Sequence, residues 1–148
     1  MLLAMCAAFG VFVSPAGAAA PPPAISQFSQ CTGAGDPCLQ VEILGGSGGD
    51  LHYQLGNQCS AGAVCDNELI LTGSFNRVVV DRGNECTTGA TCTIVVNTDG
   101  SSPYNVPPAT INSLKVRDGG FRVHAKGGQS IVIGDRCDAT AVCTKTTT

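Results

Sequence analysis

Four pairs of closely spaced cysteines punctuate this 148-residue chain: Cys31/Cys38, Cys59/Cys65, Cys86/Cys92 and Cys137/Cys143. The loops they enclose are alike, reading CSAGAVC, CTTGATC and CDATAVC, with CTGAGDPC one residue longer. Small polar loops between cysteines, flanked by runs of Val, Ile and Leu, mark places where strands are joined and stapled. The pattern constrains architecture before it says anything about chemistry.

What the cysteines mean depends on the compartment. Residues 1–20 are apolar, break at Ser14-Pro15 and end in the small-x-small site Ala16-Gly17-Ala18, as a secretory signal peptide does. No Lys or Arg precedes the apolar core, so the position of the true start stays open. A lipoprotein reading through Cys6 meets the bulky Met5 where a small residue belongs, so ordinary cleavage near Ala18 or Ala20 is expected. The core is short for a bilayer span, and no second hydrophobic span follows. The expected organisation is a signal peptide (1–20), a Pro-rich segment (21–30) and one β domain (31–145), secreted to an extracellular or periplasmic destination. Signal removal takes Cys6 and leaves an even set of cysteines, for which an oxidising compartment makes disulfides the default. Zinc sites use ligands two to four residues apart with histidines nearby. These cysteines are more widely spaced, and His52 and His124 lie far from every pair, so neither a metal nor any cofactor is expected.

About 130 mature residues suffice for one domain that buries roughly two-thirds of its chain surface. Charge is sparse and uneven. From Pro21 to Ser74 the chain carries Asp36, Glu42, Asp50, Asp66 and Glu68 but no base, whereas all eight Lys and Arg lie from Arg77 onward. A solvated surface accounts for this, and so does head-to-tail attraction between copies. No basic cluster is dense enough to serve as a nucleic-acid footprint.

β-Branched runs recur between turn signals at Leu39–Leu44, Leu51–Leu55, Glu68–Thr72, Arg77–Asp81, Thr93–Asn97, Ser113–Arg117, Phe121–Ala125 and Ser130–Ile133. No window past the signal peptide has a helical period, so the mature chain is expected to be all-β. First cysteines at 31, 59, 86 and 137 suggest about five units of about 26 residues, the fourth lacking its cysteine pair near 111–118. Within that unit, short strands over 114–133 alternate with four-residue corners at Arg117-Asp118-Gly119-Gly120 and Lys126-Gly127-Gly128-Gln129, as in one rung of a parallel β-solenoid. The stretch from 39 to 135 resembles the rungs of secreted right-handed parallel β-helix proteins, the broad group of pectate-lyase-like folds and bacterial surface proteins. The rival architecture is an antiparallel β-sandwich whose hairpin tips carry the same disulfides. In a solenoid of this kind Cys137 has no cysteine in the preceding unit, and columns of three leave an odd member. Local pairing, Cys31–Cys38, Cys59–Cys65, Cys86–Cys92 and Cys137–Cys143, is therefore expected.

Three motifs touch chemistry. Gly45-Gly46-Ser47-Gly48-Gly49 matches the string of a nucleophile elbow, but strand rather than helix follows, and a flexible corner explains it better. The same segment through Asp50 resembles the opening of a calcium-binding nonapeptide, a weak site because His52 falls on the apolar position and only one copy is present. Asp118, Arg122, His124 and Lys126 lie close together, the last three on one strand face by two-residue alternation. In β-helix polysaccharide lyases and hydrolases such faces carry active sites, so the resemblance implies a carbohydrate-binding or polysaccharide-degrading alternative. A solvated strand face explains them better, and the mature chain has no Trp to form a sugar platform. The expected function is a secreted structural or surface interaction module, adhesin-like, without catalysis of its own. Its expected partners are a second copy of the chain, through strand edges that no evident cap covers after Thr146-Thr147-Thr148, or an extracellular polymer.

Overall fold

The computed structural model describes residues 25–34, 37–124 and 130–148. The expected signal peptide, Cys6, the first part of the Pro-rich segment and Lys126 lie outside the described residues. Nine strands account for most of the described chain: β1 (Ile25–Thr32), β2 (Pro37–Ser60), β3 (Val64–Cys86), β4 (Thr91–Asn97), β5 (Ala109–Asp118), β6 (Phe121–His124), β7 (Ser130–Ile133), β8 (Arg136–Cys137) and β9 (Val142–Thr147). Seven form one sheet in the order β1-β2-β3-β4-β9, with β5 and β8 also against β3, and every pairing in it is parallel. This is an all-β, disulfide-bonded architecture without a closed barrel, and not the antiparallel arrangement that a sandwich requires.

The short segments expected from sequence merge. Leu39–Leu44 and Leu51–Leu55 are both parts of β2, and Glu68–Thr72 and Arg77–Asp81 of β3. Where Gly45 to Asp50 read as a corner, the backbone bends without leaving the ladder, with register shifts between Ser47, Gly49 and Asp50. The bend needs glycine. Gly73 has φ +78°, and a Cβ there would meet the Gly46 carbonyl oxygen at 2.5 Å. Two bare backbones thus lie together, which no side chain would permit.

The cysteine loops are corners, not hairpin tips. Val64 lies in register with Pro37 rather than reversing onto Ser60, so β2 and β3 run side by side at an offset of 27 residues on both sides of the register shift, as between Asn57 and Asn84. Ladder hydrogen bonds continue through the corners, from Gly62 N to Thr88 O (3.0 Å), from Thr91 N to Ala63 O (2.9 Å) and from Val142 N to Ala90 O (2.9 Å). Each corner is closed by its own disulfide, Cys31–Cys38, Cys59–Cys65, Cys86–Cys92 or Cys137–Cys143, with Cα separations of 6.4 to 6.6 Å.

One expectation is corrected. Cys137 lies in register with Cys86, and Cys143 with Cys92. No unit lacking cysteines stands between them, and the columns Cys31/Cys59/Cys86/Cys137 and Cys38/Cys65/Cys92/Cys143 have four members each. Even columns do not force local pairing, although the bonds are local. The long interval instead holds one pass of the chain with two excursions, at 98–108 and 119–135. The second excursion contains β6 and β7, which pair antiparallel in a separate two-stranded sheet instead of continuing the parallel ladder. Its cause is local. Gly119 and Gly120, both at φ +72°, turn the chain out of the sheet after Asp118. The hairpin packs where side chains are missing: Phe121 and Ile133 meet Phe28 and Ile131 beside Gly56, and a Cβ on Gly83 would lie 2.2 Å from the Gly134 carbonyl oxygen.

The main core draws Tyr53 and Leu55 from β2, Leu69, Leu71, Phe75, Val78 and Val80 from β3, and Ile94 and Val96 from β4. Leu69 and Val80 sit on opposite sides of the Gly73 bend, so their shared cluster means that the sheet folds over onto its own inner face. The buried sulfurs form a second cluster with Ala63 and Ala90. Between the two runs a polar seam of asparagines. Asn67 Nδ2 donates to Gly56 O (2.9 Å) and Asn57 Oδ1 (2.7 Å), while Asn57 Nδ2 donates to Asn84 Oδ1 and Thr93 O (both 3.0 Å). All three are buried, and satisfied buried amides of this kind fix register because any slip orphans them.

Candidate functional site

In-register stacking makes the inner wall a set of columns, and their composition changes at each end of the core. Beside the apolar middle, the first pass contributes Gln27, Ser29, Gln40 and Glu42 at positions that in the next pass are Leu55, Asn57, Asn67 and Leu69. The buried Tyr53 hydroxyl donates to Glu42, and Gln27 Oε1 lies 3.4 Å from it. Burial first, then the Glu42 carboxylate, pushes the Tyr53 phenol far above its ordinary value, so it stays a donor. At the other end Lys145 lies in register with the buried Ile94, and Asp118 with Arg82. Arg82 Nε donates to Asp118 (2.7 Å), and Lys145 Nζ pairs with Asp118 (3.3 Å) and with Asp135. Burial opposes ionisation of Asp118, but the bonds from Arg82 and Lys145 outweigh it and hold its carboxyl below the usual range. Polar side chains thus cover both ends of the apolar core, a finding the bare polar tail did not foretell.

The expected binding residues are placed as follows. Asp118 is engaged in the end cluster just described. Arg122 is exposed on β6 opposite Val132, and His124 lies opposite Ser130 in the same hairpin. Lys126 lies outside the described residues. Ser47 and Asp50 both lie in β2 beside the register shift, Asp50 exposed and opposite Arg77. Among the described residues, the groups of three or more ligating side chains are sulfurs, Cys31/Cys38/Cys65 and Cys86/Cys92/Cys143.

Three surface features escaped sequence reasoning. On the outer face, Asp81 is almost buried and receives Arg117 through both oxygens (Nε 2.5 Å, Nη2 2.9 Å) and His52 Nε2 (2.7 Å). Burial opposes its charge, but the hydrogen bonds from Arg117 and His52 win and hold its carboxyl below the usual range. Every oxygen of the carboxylate is used, so the trio is a clamp across three strands. A second feature is a groove of about 380 Å³ lined by Gln30, Gln58, Glu85 and Arg136, with the hydroxyls of Thr32, Ser60 and Thr87 beside them. Its amides form a directed chain in which Gln30 donates to Gln58 (3.0 Å), Gln58 to Glu85 (3.1 Å), and Gly134 N closes on the other Glu85 oxygen (3.0 Å). The third is the outer side of β2, where Leu39 (62%), Val41 (44%) and Ile43 (44%) are exposed in alternation along a strand whose far edge is unpaired among the described residues from Pro37 to His52. Pairs separated by 27 to 65 residues, such as His52–Asp81 and Arg82–Thr147, become visible only once the register is known. No protein-family model, curated protein or solved structure matches the chain.

Proposed function

We propose that the chain is a secreted β-solenoid that works as a structural, adhesin-like interaction module and associates end to end with further copies of itself. The observation that carries this reading is the edge of β2 that is unpaired among the described residues, with its exposed Leu39, Val41 and Ile43, at one end of a ladder whose other end, β9, runs parallel to it in the same register. A second copy stacked in that register sets Thr144 and Thr146 against Leu39 and Val41, continues both cysteine columns, and brings Glu42 diagonally within reach of Lys145. The polar ends limit the affinity and make it dependent on salt. Four disulfides support the oxidising destination, and no helix among the described residues is long and apolar enough to cross a membrane.

Sedimentation velocity across a concentration series tests it. The weight-average mass should rise with protein concentration and fall on adding salt, and Val41→Lys should hold the chain monomeric without lowering its Tm. A monomer at every concentration, in wild type and variant alike, would overturn the reading.

A second reading, an extracellular polysaccharide as partner, is favoured by the Gln30–Arg136 groove, whose amides, hydroxyls, carboxylate and guanidinium repeat at the strand spacing of about 4.8 Å. Glycan-array binding that Arg136→Ala abolishes would support it, and an array without signal would remove it.

A further inference from the structure

The two cysteine columns place more than one partner within reach of each sulfur. The Sγ atoms of Cys86, Cys92 and Cys143 all lie within 4.8 Å of one another, as do those of Cys31, Cys38 and Cys65. Along a column, neighbouring Cα atoms sit at the strand spacing of about 4.8 Å, inside the range of roughly 4.4–6.8 Å that disulfides span. The local bridges, at Cα separations of 6.4 to 6.6 Å, lie towards the upper end of that range. With four members per column, bonds between passes would close the set as completely as bonds within them. The last pass of the stack and the pass beneath it also differ in access. Cys137 is exposed, whereas Cys86 and Cys92 are fully buried.

From this geometry we infer that the Cys137–Cys143 bridge and the buried Cys86–Cys92 bridge beneath it form a thiol–disulfide exchange site, entered by a small dithiol through Cys137. The thiolate of the dithiol attacks Cys137 Sγ, and Cys143 leaves as thiolate. The second sulfur of the dithiol then closes a ring and releases Cys137 as a thiol, so the dithiol is oxidised and the bridge reduced. Cys143 next attacks its column neighbour Cys92. The Cys92–Cys143 bond forms as Cys86–Cys92 breaks, and Cys86 leaves as a thiolate that takes a proton from water. This step involves no net oxidation. A corner staple has become a cross-link between passes, and the remaining thiols, Cys86 and Cys137, are themselves neighbours in the other column.

Single substitutions supply the attacking thiol without any reductant. Cys137→Ser leaves Cys143 free, and Cys86→Ser leaves Cys92 free. Each variant, purified from an oxidising compartment, is held at about pH 8.5, where a free thiol is half ionised, then quenched in acid, alkylated and mapped by mass spectrometry. Both should yield the same Cys92–Cys143 peptide, absent from wild type and increasing with time, with the free thiol moving to Cys86 in the first and to Cys137 in the second. The double variant Cys86→Ser/Cys137→Ser, which retains only Cys92 and Cys143 at this site, should oxidise directly to that bond. A thiol that stays at Cys143 in the first and at Cys92 in the second, or a double variant that keeps two thiols while its other two bridges are intact, would overturn the inference.

Discussion

At the scale of single residues, the positions that matter most are those where a side chain is missing or a charge is enclosed. Gly83 has no room for a Cβ beside the Gly134 carbonyl, so Gly83→Ala should destabilise the fold by about 1–3 kcal/mol through overpacking, measured by chemical denaturation. Gly89, equally substitutable on paper, faces open space at φ +74°, and Gly89→Ala should cost only the backbone strain of about 1–2 kcal/mol. The enclosed charge is Asp81. Because its folded pKa is lowered, it adds stability that is fully present above the ordinary carboxylate value of about 4 and is lost as the pH falls through the lowered one. Arg117→Ala removes the largest cause of that lowering, so the variant should melt below wild type at neutral pH, with the gap narrowing on acidification. A gap that persists unchanged in acid would contradict the clamp.

At the scale of elements, six of the nine strands were legible and their length was not, while β1, β8 and β9 lie outside the β-branched runs of the sequence. Leu51–Leu55 and Arg77–Asp81 each name a strand, and the structure places Tyr53, Leu55, Val78 and Val80 of those runs in the core. The glycines between such runs read equally as a turn or as a bend inside one strand, and only the paired approach of Gly46 and Gly73 decides it. The fourth unit was misread for a related reason. Residues 114–133 have the right periodicity for parallel strands, but periodicity does not distinguish a strand that extends a ladder from one that folds back on its neighbour. The candidate site was less legible still, because Asp118 is recruited by Arg82 and Lys145, residues that no local spacing connects to it. The hairpin's role is to cover the glycine stripe. Phe121→Ala should therefore cost about 3 kcal/mol while amide protection in β2 and β3 remains at wild-type level, and loss of protection there would mean that the hairpin holds the sheet together.

For the whole molecule, one sheet folded over a slim apolar core, with polar residues at both ends of it, depends on its corners. Each loop closed by a bridge constrains the unfolded chain by about 2 kcal/mol, a large share of the roughly 10 kcal/mol that keeps a domain folded. Full reduction should accordingly unfold the protein at moderate temperature, visible as loss of the β signal in circular dichroism. The same stacking that supplies the core also aligns the sulfurs, the buried asparagines and the groove amides, so association and exchange alike depend on parallel register. Inter-strand nuclear Overhauser contacts in the oxidised, isotope-labelled protein test it most directly. Parallel register predicts amide-to-Hα contacts between strands offset by 27 residues, from Cys38–Cys65 and Cys65–Cys92 through Asn57–Asn84. Strong Hα–Hα contacts between residues whose numbers have a constant sum, the mark of antiparallel neighbours, would contradict it if found across β2 and β3.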